Sequence, residues 1–201
     1  AHIVCTYPKN DSVYYVKRHP TEPKWTGCAT LGEGIVPTIS TTPDGNLIAL
    51  WVSNDRTKVY FAKSQNDKFT PPHVLINEPG AKFITASGVV DNFSKIHFLL
   101  EKIIDDSWVL VYGSAPISCA PEPRWQGIDS SAILASPGGS SIVVDMNGRP
   151  HIVYNSPQDK EVNYITLDSL NNGTFKNISE SPQAASTLPV LDIYNNQLIT
   201  V

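Results

Sequence analysis

His151-Ile-Val-Tyr-Asn-Ser156 runs through a polar turn at Asp159-Lys160 into Val162-Asn-Tyr-Ile-Thr166, and this two-strand module stands three more times in the chain. The other first strands are His2-Ile-Val-Cys-Thr-Tyr7, Ile48-Ala-Leu-Trp-Val-Ser53 and His97-Phe-Leu-Leu-Glu101. Their partners are Val13-Tyr-Tyr-Val-Lys17, Val59-Tyr-Phe-Ala-Lys63 and Trp108-Val-Leu-Val-Tyr112, reached through Asn10-Asp11, Asp55-Arg56 and Asp105-Asp106. His2 to Tyr15, Ile48 to Phe61, His97 to Leu110 and His151 to Tyr164 are each 13 residues apart. β-Branched and aromatic runs of four to six residues, bounded by Asn and Asp, read as hairpins.

Each hairpin sits inside a larger unit. An inner strand precedes it at Thr38–Thr41, Gly88–Asp91 and Ser141–Asp145, and a fourth copy stands at Val190–Ile193. An outer strand follows it, marked by Trp25, Phe69, Trp125 and Phe175. Unit spacings of 46, 49 and 54 residues match β-rich repeats of the propeller type. The expected fold is therefore all-β, a single propeller domain over 1–201. Its blades would be 35–80, 81–133, 134–186, and a closing blade built from 187–201 plus 1–34. A sandwich of short strands would not repeat one offset four times. The ends leave three arrangements open: a four-bladed ring closed within one chain, a homodimer sharing blades between two chains, or a piece of a longer propeller.

Composition agrees with this reading. Charged residues make up 17% and hydrophobic residues 41%, against a usual charged share of about 25%. Short strands with Ser, Thr, Asn and Gln facing outward need fewer charges than helices do. The 16 Pro and 12 Gly are spread along the chain as turns would be. A net charge of −4 offers no basic footprint for nucleic acid. No apolar run approaches the roughly 18 residues of a membrane span. The chain opens at Ala1 directly in a strand-like run, which is expected of a processed, secreted, extracellular protein. N-glycosylation sequons at Asn10, Asn92, Asn172 and Asn177 accord with that. Cys5, Cys28 and Cys119 form no metal signature, and leave open one disulfide of any pairing or three unpaired thiols.

Ser64-Gln-Asn-Asp-Lys-Phe69 and Ser169-Leu-Asn-Asn-Gly-Thr-Phe175 resemble worn Asp-boxes, the S-x-D-x-G-x-T-W turn between third and fourth strands of sialidase-like propellers. The first lacks the Gly, and the second has Asn171 for the Asp and is one residue short. Phrases such as Asn46-Leu-Ile-Ala-Leu-Trp51 are similar to that superfamily and to propeller lectins. The resemblance implies architecture; the box is a turn and does not catalyse.

Candidate sites follow from residue types. Glu22-Pro-Lys-Trp-Thr-Gly27 and Glu122-Pro-Arg-Trp-Gln-Gly127 share E-P-[K/R]-W-x-G. An aromatic face beside charged groups suits a sugar's C–H face and hydroxyls. Glu22, Lys24, Trp25, Glu122, Arg124 and Trp125 are thus the carbohydrate-binding candidates; the alternative is a Trp packed between blades under a cation. Asp91, Asp145 and Asp192 end inner strands, where they would cap turns or, in a ring around the central channel, hold a structural Ca2+ ion. His2, His97 and His151 recur at one position, expected to make hydrogen bonds between blades. Four scattered Arg, too few residues for the six blades that sialidase-like enzymes need, and no singled-out acid pair argue against catalysis. The expected function is a secreted lectin for glycans or glycoproteins, without catalysis or cofactor. The alternatives are a protein-interaction or storage propeller and a sialidase-like glycoside hydrolase.

Overall fold

A computed structural model of the protein describes residues 1–66, 68–117, 124–132, 139–155, 161–168, 173–177, 189–194 and 197–200. The elements among them are all strands, and no helix is long and apolar enough to cross a membrane. Strands β1 (His2–Tyr7), β2 (Ser12–Lys17) and β3 (Thr26–Glu33) form a first antiparallel sheet. The second comprises β4 (Ile35–Thr41), β5 (Leu47–Val52), β6 (Lys58–Gln65), β7 (Lys68–Phe69) and β8 (His73–Asn77). The third is β9 (Lys82–Val90), β10 (Lys95–Ile104), β11 (Ser107–Pro116) and β12 (Arg124–Ala132). The fourth is β13 (Ser140–Val144), β14 (Pro150–Asn155), β15 (Val162–Leu167) and β16 (Gly173–Asn177). A fifth begins with β17 (Leu191–Tyr194) and β18 (Gln197–Thr200). Up-and-down sheets of four strands, repeated in chain order, are the blades of a β-propeller.

The sheets stack because their middle strands are apolar on both faces. In β5, Leu47, Ala49 and Trp51 pack with Val13, Tyr15 and Leu31 of the first sheet. The alternate residues Ile48, Leu50 and Val52 pack with Val90, Ile96, Phe98 and Leu100 of the third. On β10 the other parity continues the series: Leu99, with Trp108, Leu110 and Tyr112, meets Ile142, Ile152 and Tyr154 of the fourth sheet. Period-two alternation thus feeds two cores instead of one core and solvent. Burying each such Leu or Ile contributes about 1.5–3 kcal/mol. Polar ties cross the same interfaces. Trp51 Nε1 donates to the Glu33 carbonyl at 3.1 Å, Thr38 Oγ1 to the Ala86 carbonyl at 2.9 Å, and Ser140 Oγ to Glu101 at 2.6 Å.

Two details depart from the sequence reading. The hairpin β10–β11 has ten residues in each strand, and His97 pairs with Ser114. His2, Ile48 and His151 pair with Lys17, Lys63 and Thr166. The residue equivalent to Tyr15, Phe61 and Tyr164 is therefore Tyr112, not Leu110. The outer strand at Phe69 is only two residues long, because Pro71 and Pro72 have no N–H for the ladder; pairing with β6 resumes at His73. Among the described residues β17 and β18 pair with each other. The strands that flank the two Asp-box-like segments are third and fourth strands, β6 with β7 and β15 with β16, while Asp67 and residues 169–172 lie outside the described residues.

Gly34, in the connection from first to second sheet, has φ +149°, and a Cβ there would collide with the Trp51 ring and the Val52 carbonyl. Gly45, with φ +80°, faces open space. Gly34→Ala is expected to lower stability by about 2 kcal/mol or more, since it combines overpacking with backbone strain. Gly45→Ala should cost about 1 kcal/mol from conformation alone. Urea midpoints of the two variants check this ranking; equal shifts would contradict it.

Candidate functional site

The inner-strand turns carry the polar chemistry of the described structure. Asp91 Oδ1 accepts the backbone N–H of Phe93 and of Lys95, each at 2.8 Å. Asp145 Oδ1 accepts those of Asn147 and Arg149, each at 2.9 Å. Both aspartates therefore cap the turns that follow β9 and β13. Their second oxygens face histidine: Asp91 Oδ2 lies 3.0 Å from His97 Nε2 and Asp145 Oδ2 lies 3.6 Å from His151 Nε2. The opposite ring nitrogens meet tyrosine hydroxyls, Tyr112 at 2.7 Å and Tyr164 at 2.6 Å. The same contact joins His2 to Tyr15 at 2.7 Å. Each histidine bonds within its own sheet, which corrects the expectation of bonds between blades. The extended hairpins bring the second and third strands close enough for His and Tyr to meet diagonally.

Burial fixes the protonation of this relay. His97 is 1% exposed. Desolvation holds its imidazole below the usual histidine range, against the opposing pull of Asp91. Burial likewise pushes Tyr112 up to about 12. A carboxylate only accepts, so Nε2 carries the proton and the Tyr112 hydroxyl donates to Nδ1. His151, half-buried, is lowered for the same reasons, desolvation first. Burial would raise Asp145, but the N–H groups of Arg149 and Asn147 and its contact with His151 outweigh this and lower it. The second sheet has apolar residues in these places: Ile48 for His and Phe61 for Tyr, with Thr42 for Asp, its hydroxyl donating to Asp44.

Beside the third sheet's relay opens a cleft of about 760 Å³ between the third and fourth sheets. His97 and Tyr112 line it, with Lys95, Asn147, Arg149 and Phe93 among its other walls. Phe93 is 69% exposed, yet one side of its ring lies against Gly148 of the neighbouring turn, where a Cβ would come within 3.1 Å of two ring carbons. Sequence reasoning passed over Phe93: one aromatic in a polar turn has no periodicity, although its place three residues after the last strand residue of β9 could have been noted.

The residues singled out from sequence fare unequally. Trp25 is 43% exposed just before β3, not packed between blades, and Arg18 rather than Lys24 lies over its ring at 5.4 Å. Glu22 and Lys24 are exposed in the same bend. In the second copy, Arg124 and Trp125 begin β12, paired with Ser114 and Gly113, and Glu122 lies outside the described residues. Asp192 lies within β17, exposed and bonded to the adjacent Ile193 N–H at 2.7 Å. It is thus not the equivalent of Asp91 and Asp145, whose carboxylates are engaged by turns and histidines. Among the described residues no three His, Cys, Asp or Glu side chains converge on a metal position. Asn10 and Asn92 are exposed in turns, Asn177 ends β16, and Asn172 lies outside the described residues. Cys5 and Cys28 are exposed free thiols, and Cys119 lies outside the described residues.

No family model and no curated protein sequence matches the chain. Solved structures do match its fold. The α-L-arabinofuranosidase Arb93A from Fusarium graminearum, solved with an iminosugar inhibitor, superposes at a TM-score of 0.63 with 12% identity over 92% of this chain and 60% of that one. The Hadza microbial sialidase Hz136 gives 0.58 and 12% over 83% and 40%. The polysaccharide lyase Uly1 gives 0.55 and 11% over 98% and 63%. The chain spans less than two thirds of each of these proteins. It shares the β-propeller fold of carbohydrate-active proteins and resembles the sialidase-like propellers. The expectation of a protein without catalysis is corrected here. It rested on four scattered Arg, no singled-out acid pair and too few residues for an enzyme's full ring, whereas solved hydrolases and a lyase contain a similar blade stack within longer chains.

The relay yields a prediction. His97→Ile alone leaves Tyr112 and one oxygen of Asp91 buried without their partner and is expected to cost about 1–3 kcal/mol. Combining Asp91→Thr, His97→Ile and Tyr112→Phe reproduces the second sheet's solution and should recover at least half of that loss. Denaturant midpoints of the two variants test it; a triple variant less stable than the single would contradict the relay as a unit.

Proposed function

We propose that the protein acts on carbohydrate, binding glycans and cleaving glycosidic bonds as the propellers of similar fold do. The observation that carries this reading is the blade stack itself, which superposes over 92% of the chain on an arabinofuranosidase solved with a sugar-like inhibitor. Fold alone does not assign a reaction, so the reading draws second support from side chains of the kind that hold sugars. Trp25 offers an exposed ring under Arg18, and Phe93 offers another in a recess lined by Lys95, Asn147 and Arg149. An extracellular location, with glycans on the exposed Asn10 and Asn92, belongs to the same reading.

The test is incubation of the folded protein with arabinan, β-1,3-galactan and sialyllactose. Binding is followed by calorimetry, and cleavage by released reducing sugar or free sialic acid. At least one glycan is expected to bind and to be cleaved. Neither binding nor cleavage across the panel would overturn the carbohydrate reading; binding without turnover would overturn its catalytic part.

A further inference from the structure

We infer that the cleft between the third and fourth sheets is a saccharide-binding site in which Phe93 is the stacking platform. The inference rests on the carbohydrate reading above and assigns it a place in the molecule.

Four observations support it. First, Phe93 presents 69% of its surface to solvent, although an apolar ring gains by being covered. Second, the ring is supported. Its own backbone N–H is held by Asp91 at 2.8 Å, and its underside lies on Gly148, the residue at which any side chain would strike it. Gly148 also has φ +76°, so the turn and the ring's seat depend on the same glycine. A ring fixed on one side and open on the other suits the apolar C–H face of a pyranose or furanose. Third, Lys95, Asn147 and Arg149 border the same recess. They supply charged and amide donors, with an amide acceptor from Asn147, to pair sugar hydroxyls. Fourth, the volume of about 760 Å³ lies within the roughly 300–1,000 Å³ typical of small-ligand sites.

The histidine and tyrosine at the wall of the recess serve the fold rather than bond cleavage. His97 and Tyr112 at its wall already bond each other, and His97 also engages Asp91. A histidine locked at both nitrogens has no lone pair or proton to offer a substrate. The relay instead stiffens the turn that carries Phe93, because Asp91 binds His97 with one oxygen and the turn's N–H groups with the other. The contrast with the second sheet is instructive. Its equivalent turn has Asp44 where the third sheet has Phe93, and the relay beneath it is replaced by Thr42, Ile48 and Phe61. The fourth sheet keeps the relay, as Asp145, His151 and Tyr164, but has Asn147 in the place of Phe93, so among these three sheets the platform belongs to the third alone.

Phe93→Ala and Arg149→Gln test the inference. Both residues are exposed, so both variants should melt at the temperature of the unaltered protein. Titrated with whichever of arabinan, β-1,3-galactan and sialyllactose the unaltered protein binds, Phe93→Ala should bind about tenfold more weakly, and Arg149→Gln several-fold more weakly. Unchanged affinity in both variants would overturn the cleft as the site while leaving the carbohydrate reading intact. If the unaltered protein binds and cleaves none of the three, both readings fail. Should Phe93→Ala melt early, Arg149→Gln decides alone: retained affinity overturns the site and lost affinity supports it.

Discussion

A sheet that is apolar on both faces cannot stand alone in water, and the rest of this structure depends on that constraint. Leu47 to Val52 is a run of six buried residues, half turned to each neighbouring sheet. Such a strand must lie between two others like itself, and β10 repeats the demand one sheet further on. Stability in such a stack comes from nearest-neighbour interfaces. Local side-chain choice follows: Trp51 and Trp108 fill gaps between sheets, and both find an indole partner there, the Glu33 carbonyl and the Glu101 carboxylate.

Because the sheet faces are committed to packing, polar chemistry is displaced to the strand ends. The third and fourth sheets meet this with one device, an aspartate that caps the inner turn and also holds a histidine, which in turn meets a tyrosine from the third strand. The second sheet uses Thr42, Ile48 and Phe61. The swap is of the three residues together, as expected when leaving one buried polar group unpaired costs more than removing all of them. Where the polar version sits beside an aromatic turn, the cleft with Phe93 results.

The architecture was legible in the sequence because period-two apolar runs and acidic turns recur in four places, and each recurrence restates the same physics. The exact register was less legible. In the β10–β11 hairpin both Leu110 and Tyr112 are apolar enough to satisfy an offset count, and only the pairing of His97 with Ser114, in a longer hairpin than that of His2 with Lys17, decides for Tyr112. The histidines were recognised as equivalent but their partners were misread, since a diagonal His–Tyr contact depends on strand pairing that the sequence does not display. Trp25 stood out through its repeated motif, yet the cation over it comes from Arg18, just past the end of the preceding strand. Phe93 gave no signal, because its seat is Gly148 in the next sheet. The expectation of no catalysis failed for a different reason: chain length, scattered Arg and the lack of a singled-out acid pair say nothing about a fold that longer enzymes contain.

Native-state hydrogen exchange tests the central claim, that the sheets are held by shared two-faced burial, most directly. The amides of Leu50, Leu99 and Ile152 lie in the second strands of three successive sheets and flank the two interfaces between them. The account predicts that all three exchange only through one common opening, with the free energy and denaturant dependence of global unfolding. Separate openings, each sheet with its own lower free energy, would contradict it.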